Sequence, residues 1–322
     1  MTNDRARPVL HERLRRHRME SRQSVFASRH SPGREHIMTA PTSTLQYDTL
    51  CLRRPGLTRD LPPGTREDLQ WVSNTATLIY GERDAVVVDT FLTIEQNQQL
   101  VDWVKAHNRN LTYIYITHGH GDHAFGAKQL LEAFPRAKAV STAAVVAKAT
   151  AEGSPPYFDT FWTSRFPGEV PAPQVFPEVL DGDTFTLEGH TLQVVETGFT
   201  DCEGSTALWV PDLRLVVAGD VAYNGIDQYL GETTTASREE WMRATDTLAA
   251  LDPAYVVAGH KKPDLPDDPK ILAETKKYLA DFNRLDAETE TAAELFEAML
   301  ALYPNRANPG SLWGGAKRAK SL

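Results

Sequence analysis

From Trp71 onward, the apolar positions fall into short runs separated by polar or glycine-bearing breaks. Residues 75–80 and 85–89 are two such runs, and the Gly81-Glu82-Arg83-Asp84 break between them predicts a hairpin. Thr93 with Gln96 three positions later has the form of a capping box, and Leu100, Val101, Trp103 and Val104 give the following helix one apolar face. Residues 111–116 predict a third strand, 124–134 a helix, and a further strand and helix run on to Ala151. Strands are expected again at 184–187, 191–196, 206–210 and 213–218. Ser237 with Glu240 predicts a second capping box, ahead of a helix carrying Trp241 and Leu248. A last strand at 255–257 and two helices near 268–284 and 287–302 complete a layered α/β sandwich in one domain.

Residues 154–177 interrupt this rhythm with six prolines and the aromatics Tyr157, Phe158, Phe161, Trp162, Phe166 and Phe176. Two readings stand equally: an inserted cap over a site, or aromatics packed on the core. Residues 1–40 read as a disordered Arg-rich tail, 41–262 as the catalytic domain, and 263–322 as C-terminal helices packed on that domain.

Charge narrows the function. The chain carries −9, but its first 37 residues hold nine Arg and four acidic residues, leaving 25 basic against 39 acidic and a net −14 for the rest. Such a body is a poor partner for phosphate backbones, so no nucleic acid is expected and the partner is a small-molecule substrate. No run of 18 apolar residues and no apolar leader core is present, which predicts a cytoplasmic protein without a membrane partner. Cys51 and Cys202 are too few for a disulfide framework. Nothing in the pattern sets the oligomeric state.

The chemistry concentrates after the third strand, in Thr117-His118-Gly119-His120-Gly121-Asp122-His123. Imidazoles two positions apart on extended backbone point the same way, and Gly119 and Gly121 are expected to let the chain turn so that Asp122 and His123 converge nearby. Nitrogen and carboxylate donors packed this closely suit Zn²⁺, Mn²⁺ or Fe²⁺ better than Mg²⁺ or Ca²⁺. Val216-Val217-Ala218-Gly219 ends in Asp220 and Val256-Val257-Ala258-Gly259 in His260, so two more buried strands deliver a donor through a glycine to the sheet edge. Asp89, after Val86-Val87-Val88, is read as a carboxylate that orients a liganding histidine.

The order and spacing of His118-x-His120-x-Asp122-His123, Asp220 and His260 resemble the metallo-β-lactamase superfamily across roughly residues 71–262. The resemblance implies an αββα sandwich with two divalent metal ions, Zn foremost with Mn or Fe as alternatives. It puts His118 and His120 on the first metal, Asp122, His123 and His260 on the second, and Asp220 between them. One position departs from the pattern: superfamily members place another first-metal histidine where this chain has Phe199. Asp201 is the preferred replacement, ahead of Cys202 and Glu203, and His190 is read as a turn residue that only imitates the motif. Tyr223, three residues after Asp220, resembles the tyrosine that N-acyl homoserine lactone lactonases use to donate to the developing oxyanion.

The expected activity is therefore metal-dependent hydrolysis, in which hydroxide between two cations attacks an ester or lactone carbonyl while Tyr223 and Asp122 act as catalytic donor and proton relay. Two alternatives remain: a mononuclear iron oxygenase similar to the persulfide dioxygenases, and a metal-depleted binding protein that keeps only the fold.

Overall fold

The computed structural model describes residues 44–55, 62, 64–172 and 174–321, so the Arg-rich tail expected at 1–40 lies outside the described residues. Two sheets organise the rest. The first takes in β1 (Gln46–Pro55), β2 (Trp71–Tyr80), β3 (Asp84–Val88), β4 (Asn110–Tyr115), β5 (Lys138–Ser141) and β6 (Glu178–Val179), hydrogen-bonded in that order. β1, β2 and β3 run antiparallel through the predicted hairpin, and β3 to β6 run parallel. Parallel neighbours need crossovers, and these are supplied by α1 (Ile94–Ala106), α2 (Gly121–Ala124), α3 (Ala127–Ala133) and α4 (Ala143–Gly153).

The second sheet has β7 (Thr184–Leu187), β8 (His190–Gly198), β9 (Ser205–Val210), β10 (Leu215–Asn224) and, beyond α5 (Thr235–Ala249), β11 (Tyr255–Lys261). Its order is β11-β10-β9-β8-β7, antiparallel except for the β10–β11 pair. The chain ends with α6 (Lys270–Glu288), α7 (Ala292–Leu302) and α8 (Pro309–Ala319).

Side-chain alternation explains the layering. Ile79, Val86, Val88 and Tyr115 of the first sheet meet Leu192, Val194, Leu208 and Val217 of the second in one buried cluster. The opposite face of the first sheet, with Ala76, Leu78, Val87 and Ile114, packs under α1, α3 and α4. The opposite face of the second, with Val216, Ala218 and Val256, is covered by Trp241, Tyr278, Phe282 and Phe296 of α5, α6 and α7. The result is the four-layer αββα sandwich.

Several local expectations need correction. The predicted helix over 124–134 is two helices, α2 and α3, because the chain leaves helical hydrogen bonding between Phe125 and Gly126. The capping box before α5 is made by Thr234, whose hydroxyl accepts from Ser237 N, so Ser237 sits at the third helical position. His190 is the first residue of β8, opposite Leu187, with Nδ1 2.5 Å from Asp212 Oδ2, and is not a turn residue. The strands carrying Asp220 and His260 run past both residues to Asn224 and Lys261. β1, β6 and α8 lack a readable pattern in the sequence.

The 154–177 segment packs on the core and also borders a cavity. Phe158, Trp162 and Phe166 are buried against the helical face of the first sheet, while Tyr157, Phe161, Trp162 and Phe166 also line the main cavity. Among the described residues no helix is long and apolar enough to cross a membrane.

Candidate metal centre

β4 delivers the histidine loop directly. Thr117 N–H and Thr117 Oγ1 donate to the two oxygens of Asp89, at 2.8 Å each, which ties the start of the loop to the end of β3. The chain does bend at 117–119, but neither Gly119 nor Gly121 has positive φ, so the bend does not depend on a left-handed glycine. A Cβ on Gly119 would instead lie 2.7 Å from the backbone N of Ala149, so the loop needs glycine there to sit flat against α4. At the other wall, a Cβ on Gly259 would meet Asp220 Oδ1 at 2.2 Å, and its absence lets β10 and β11 bring Asp220 and His260 together.

Four imidazoles share one arrangement, in which one ring nitrogen is anchored to a neighbouring oxygen and the other turns inward. His118 Nδ1 lies 3.1 Å from Thr117 Oγ1, whose own hydrogen goes to Asp89, so His118 Nδ1–H is the donor and Nε2 carries the inward lone pair. His123 Nδ1–H donates to Asp89 Oδ2 (3.1 Å), His260 Nδ1–H to Ser73 O (2.5 Å), and His120 Nε2–H to Glu232 Oε1 (3.0 Å). Asp89 thus holds two parts of the centre in place, the carboxylate role expected of it.

The inward nitrogens meet carboxylates in two adjoining groups. In the first, Asp201 Oδ2 is 3.5 Å from His118 Nε2 and 2.7 Å from His120 Nδ1. In the second, Asp122, His123 and His260 place their donor atoms within 4.8 Å of one another. Asp220 Oδ1 lies 3.3 Å from His123 Nε2, and Asp220 Oδ2 lies 3.2 Å from His260 Nε2. The rings of His118 and His123, one from each group, have centroids 4.2 Å apart.

Phe199 is half-buried and offers only its backbone N–H, to Glu240 Oε1. The neighbour that reaches the first group is Asp201, whose other oxygen accepts from Thr200 Oγ1 at 2.8 Å. Cys202 is buried beside Ser205 and also interacts with His120, while Glu203 is exposed; neither completes a group of three donors among the described residues.

The donor set fits divalent cations on a physical test. His118 Nε2 and Asp201 Oδ2 in the first group, and Asp220 Oδ1 beside the second, are buried without a hydrogen bond, a costly condition that cations held by these groups would relieve. Burial alone would raise the carboxyl of Asp201, but His118 and His120 outweigh it and hold the group well below the usual carboxylate range. Asp122 is held low in the same way by His123 and His260 against burial, with Asn74 Nδ2 donating to its Oδ2 at 3.0 Å. Burial pulls His123 down, yet Asp220, Asp122 and Asp89 lift it to about 10.

Besides Ser73 and Asn74, three more residues at the centre went unrecognised in the sequence. Glu232 binds His120 and accepts from Lys148 Nζ at 2.8 Å; Lys148 also lies 3.3 Å from Glu152 Oε1. Glu152, itself buried, accepts from Gly121 N (3.1 Å) and from Trp162 Nε1 (3.2 Å), joining the metal loop to the 154–177 segment. They come from α4 and a loop without a motif, so only folding brings them to the site.

Residues 69–260, more than half of the chain, match the sequence model of the metallo-beta-lactamase superfamily. The chain belongs to that superfamily. Hydroxyacylglutathione hydrolase of Parasynechococcus marenigrum (strain WH8102) is 28% identical over 171 residues, which cover 51% of this chain and 57% of that protein. Solved structures show the shared fold. A metallo-beta-lactamase family protein from Thermus thermophilus superposes with a TM-score of 0.60 at 21% identity, over 85% of this chain and 91% of that one. The metallo-beta-lactamase from Pontibacter korlensis gives 0.52 at 19% identity, over 76% and 98%. As in this superfamily generally, the His/Asp clusters are suited to divalent metal; here their first group contains Asp201.

Proposed function

We propose that the protein is a metal-dependent hydrolase that opens an ester or lactone bond of a small molecule. The observation that carries this reading is the set of four imidazoles, each anchored on one side and turned on the other toward Asp122, Asp201 and Asp220. His118, His120 and Asp201 would hold a first cation and Asp122, His123 and His260 a second, with Asp220 beside both His123 and His260. Two divalent cations held there would supply hydroxide near neutral pH and polarise a carbonyl.

The chain's own groups complete the chemistry. Tyr223 Oη donates to Asp220 Oδ2 at 2.5 Å and lines the cavity. Burial, then the charge of Asp220, pushes this phenol well above its ordinary range, so it keeps its proton; by giving up the bond to Asp220 it would turn that single O–H to a developing oxyanion. Asp122, ionised and on the cavity wall, would accept the proton that the nucleophilic water loses in becoming hydroxide and return it to the leaving alkoxide.

A panel of esters, lactones and thioesters tests the reading with the metal-loaded full chain; the thioesters are included because of the hydroxyacylglutathione hydrolase match. Turnover is expected on an ester or lactone, abolished by His120→Ala and lowered about 10²-fold in kcat by Tyr223→Phe. No turnover on any member, or turnover indifferent to His120→Ala, contradicts it. A second reading, iron-dependent oxygenation, draws support from the two-histidine, one-carboxylate composition of the first group. Oxygen uptake with a thiol substrate on the iron-loaded protein, in place of hydrolysis, is its signature.

A further inference from the structure

The cavity beside the metal centre has a volume of about 510 Å³, enough for a small organic molecule, and two tyrosines on its wall flank the centre, one at each group. Tyr223 lies against the second group, its ring stacked on that of His260 with centroids 5.3 Å apart. Tyr229 lies against the first, its ring at 82° to that of His120 with centroids 5.7 Å apart. The two phenols differ in the use of their single proton. Tyr223 Oη gives its own to Asp220 Oδ2 at 2.5 Å, whereas the Tyr229 hydroxyl has no hydrogen-bond partner among the described residues. His120, Glu232, Tyr157 and Glu152 face it and act on it only across space. Gly231 sets where it lies: a Cβ there would stand 2.8 Å from Tyr229 Oη, so the ring end rests over a bare glycine. Other donors on the wall are placed differently. Trp162 Nε1 is given to Glu152, and Tyr157 is exposed and stacks on Phe161.

A neutral carbonyl oxygen is a weaker acceptor than a carboxylate, so a docking ester or lactone does not draw the Tyr223 proton away from Asp220; only the negative oxygen that forms on attack competes for it. A hydrogen bond to the intact carbonyl has to come from a donor that is not already engaged. From this division of labour we infer that Tyr229 docks the substrate: its O–H donates to the carbonyl oxygen of the bound ester or lactone, and Tyr223 is held back for the oxyanion. The inference deepens the hydrolase reading and rests on it, since it assigns a substrate contact at that centre. The loop between β10 and α5 then does two things at the first group, orienting His120 through Glu232 and presenting the Tyr229 hydroxyl beside it. A hydrogen bond made already to the intact substrate tightens binding without speeding the chemical step, so its signature differs from that of an oxyanion donor.

Binding and kinetics together test it on the full-length, metal-loaded protein. The binding probe is 4-phenylbutan-2-one, a ketone that offers a carbonyl oxygen and an aromatic body but no bond to hydrolyse. Calorimetric titration is expected to show it held about tenfold more weakly by Tyr229→Phe, which keeps the ring against His120 and removes only the hydroxyl. On the best ester or lactone of the panel, the same variant is expected to raise KM about tenfold with the loss in KM and not in kcat, the reverse of the kcat loss expected of Tyr223→Phe. No ketone binding by the unaltered protein, or equal ketone affinity in Tyr229→Phe, would overturn the inference. So would a loss confined to kcat, which would assign the hydroxyl to the transition state, or a fall in metal content, which would assign it to the upkeep of the centre. A protein that hydrolyses the panel while its ketone affinity ignores Tyr229→Phe keeps the hydrolase reading and loses this one. Ketone binding that depends on the hydroxyl, without turnover on any member of the panel, loses only the hydrolase reading.

Discussion

His120 shows how much the site depends on a single ring orientation. Its Nδ1 faces Asp201 at 2.7 Å only because Nε2–H is held by Glu232, and Glu232 is fixed in turn by Lys148. A carboxylate partner to a metal-binding imidazole both sets the tautomer and raises its basicity. Glu232→Gln keeps the shape but replaces the charged acceptor. Competition with a fluorescent chelator is expected to show first-site Zn²⁺ affinity lowered by about 10- to 100-fold; unchanged affinity would mean that packing alone orients His120. The residues proposed as donors were legible, since His118, His120, Asp122 and His123 crowd into six positions. Their supports were not, because Ser73, Asn74, Lys148, Glu152 and Glu232 are ordinary polar residues until β2, α4 and the loop after β10 are folded against one another. Asp201 lies between these cases: Phe199 marked a gap in the sequence, and the fold turns Asp201 toward His118 and His120.

Among the elements, strands with clear β-branched runs were located to within a few residues, and their ends were not. β1 was missed because it is an edge strand whose side chains are mostly half-buried, so Gln46–Pro55 mixes polar and apolar residues without alternation. The capping box before α5 was displaced because Ser237 and Glu240 fit the pattern as well as Thr234 and Ser237 do; the hydroxyl of Thr234 decides it. The connection between β10 and the C-terminal helices holds a buried acid that sets a pH dependence. Asp227 accepts from Tyr278 Oη of α6 at 3.1 Å, and its backbone N–H donates to Ala307 O. Burial raises its carboxyl to about 7, against the lowering effects of Arg306 and Tyr278. The folded state therefore keeps a proton that the unfolded chain releases, so this contribution to stability is full below the ordinary carboxyl pKa and is lost as pH rises toward 7. Urea midpoints across that interval should fall less steeply in Asp227→Asn than in the unaltered protein; parallel slopes would show that Asp227 does not titrate there.

At the scale of the whole molecule, the two sheets divide the labour of building one centre. The first sheet supplies Asp89 and the histidine loop, and the second supplies Asp201 from the β8–β9 loop, Asp220 from β10 and His260 from β11. The layered α/β sandwich followed from the alternation of strand and helix signals, whereas the cavity was hidden because its wall is assembled from β1, the aromatic segment and α8, which are far apart in sequence. The central claim is that Asp201 completes a first site alongside a second, in place of the histidine absent at Phe199. Elemental analysis of the purified full chain against its Asp201→Ala variant tests it most directly. About two divalent ions per chain are expected, falling to about one in the variant with the fold retained; about one ion per chain in both proteins would contradict it.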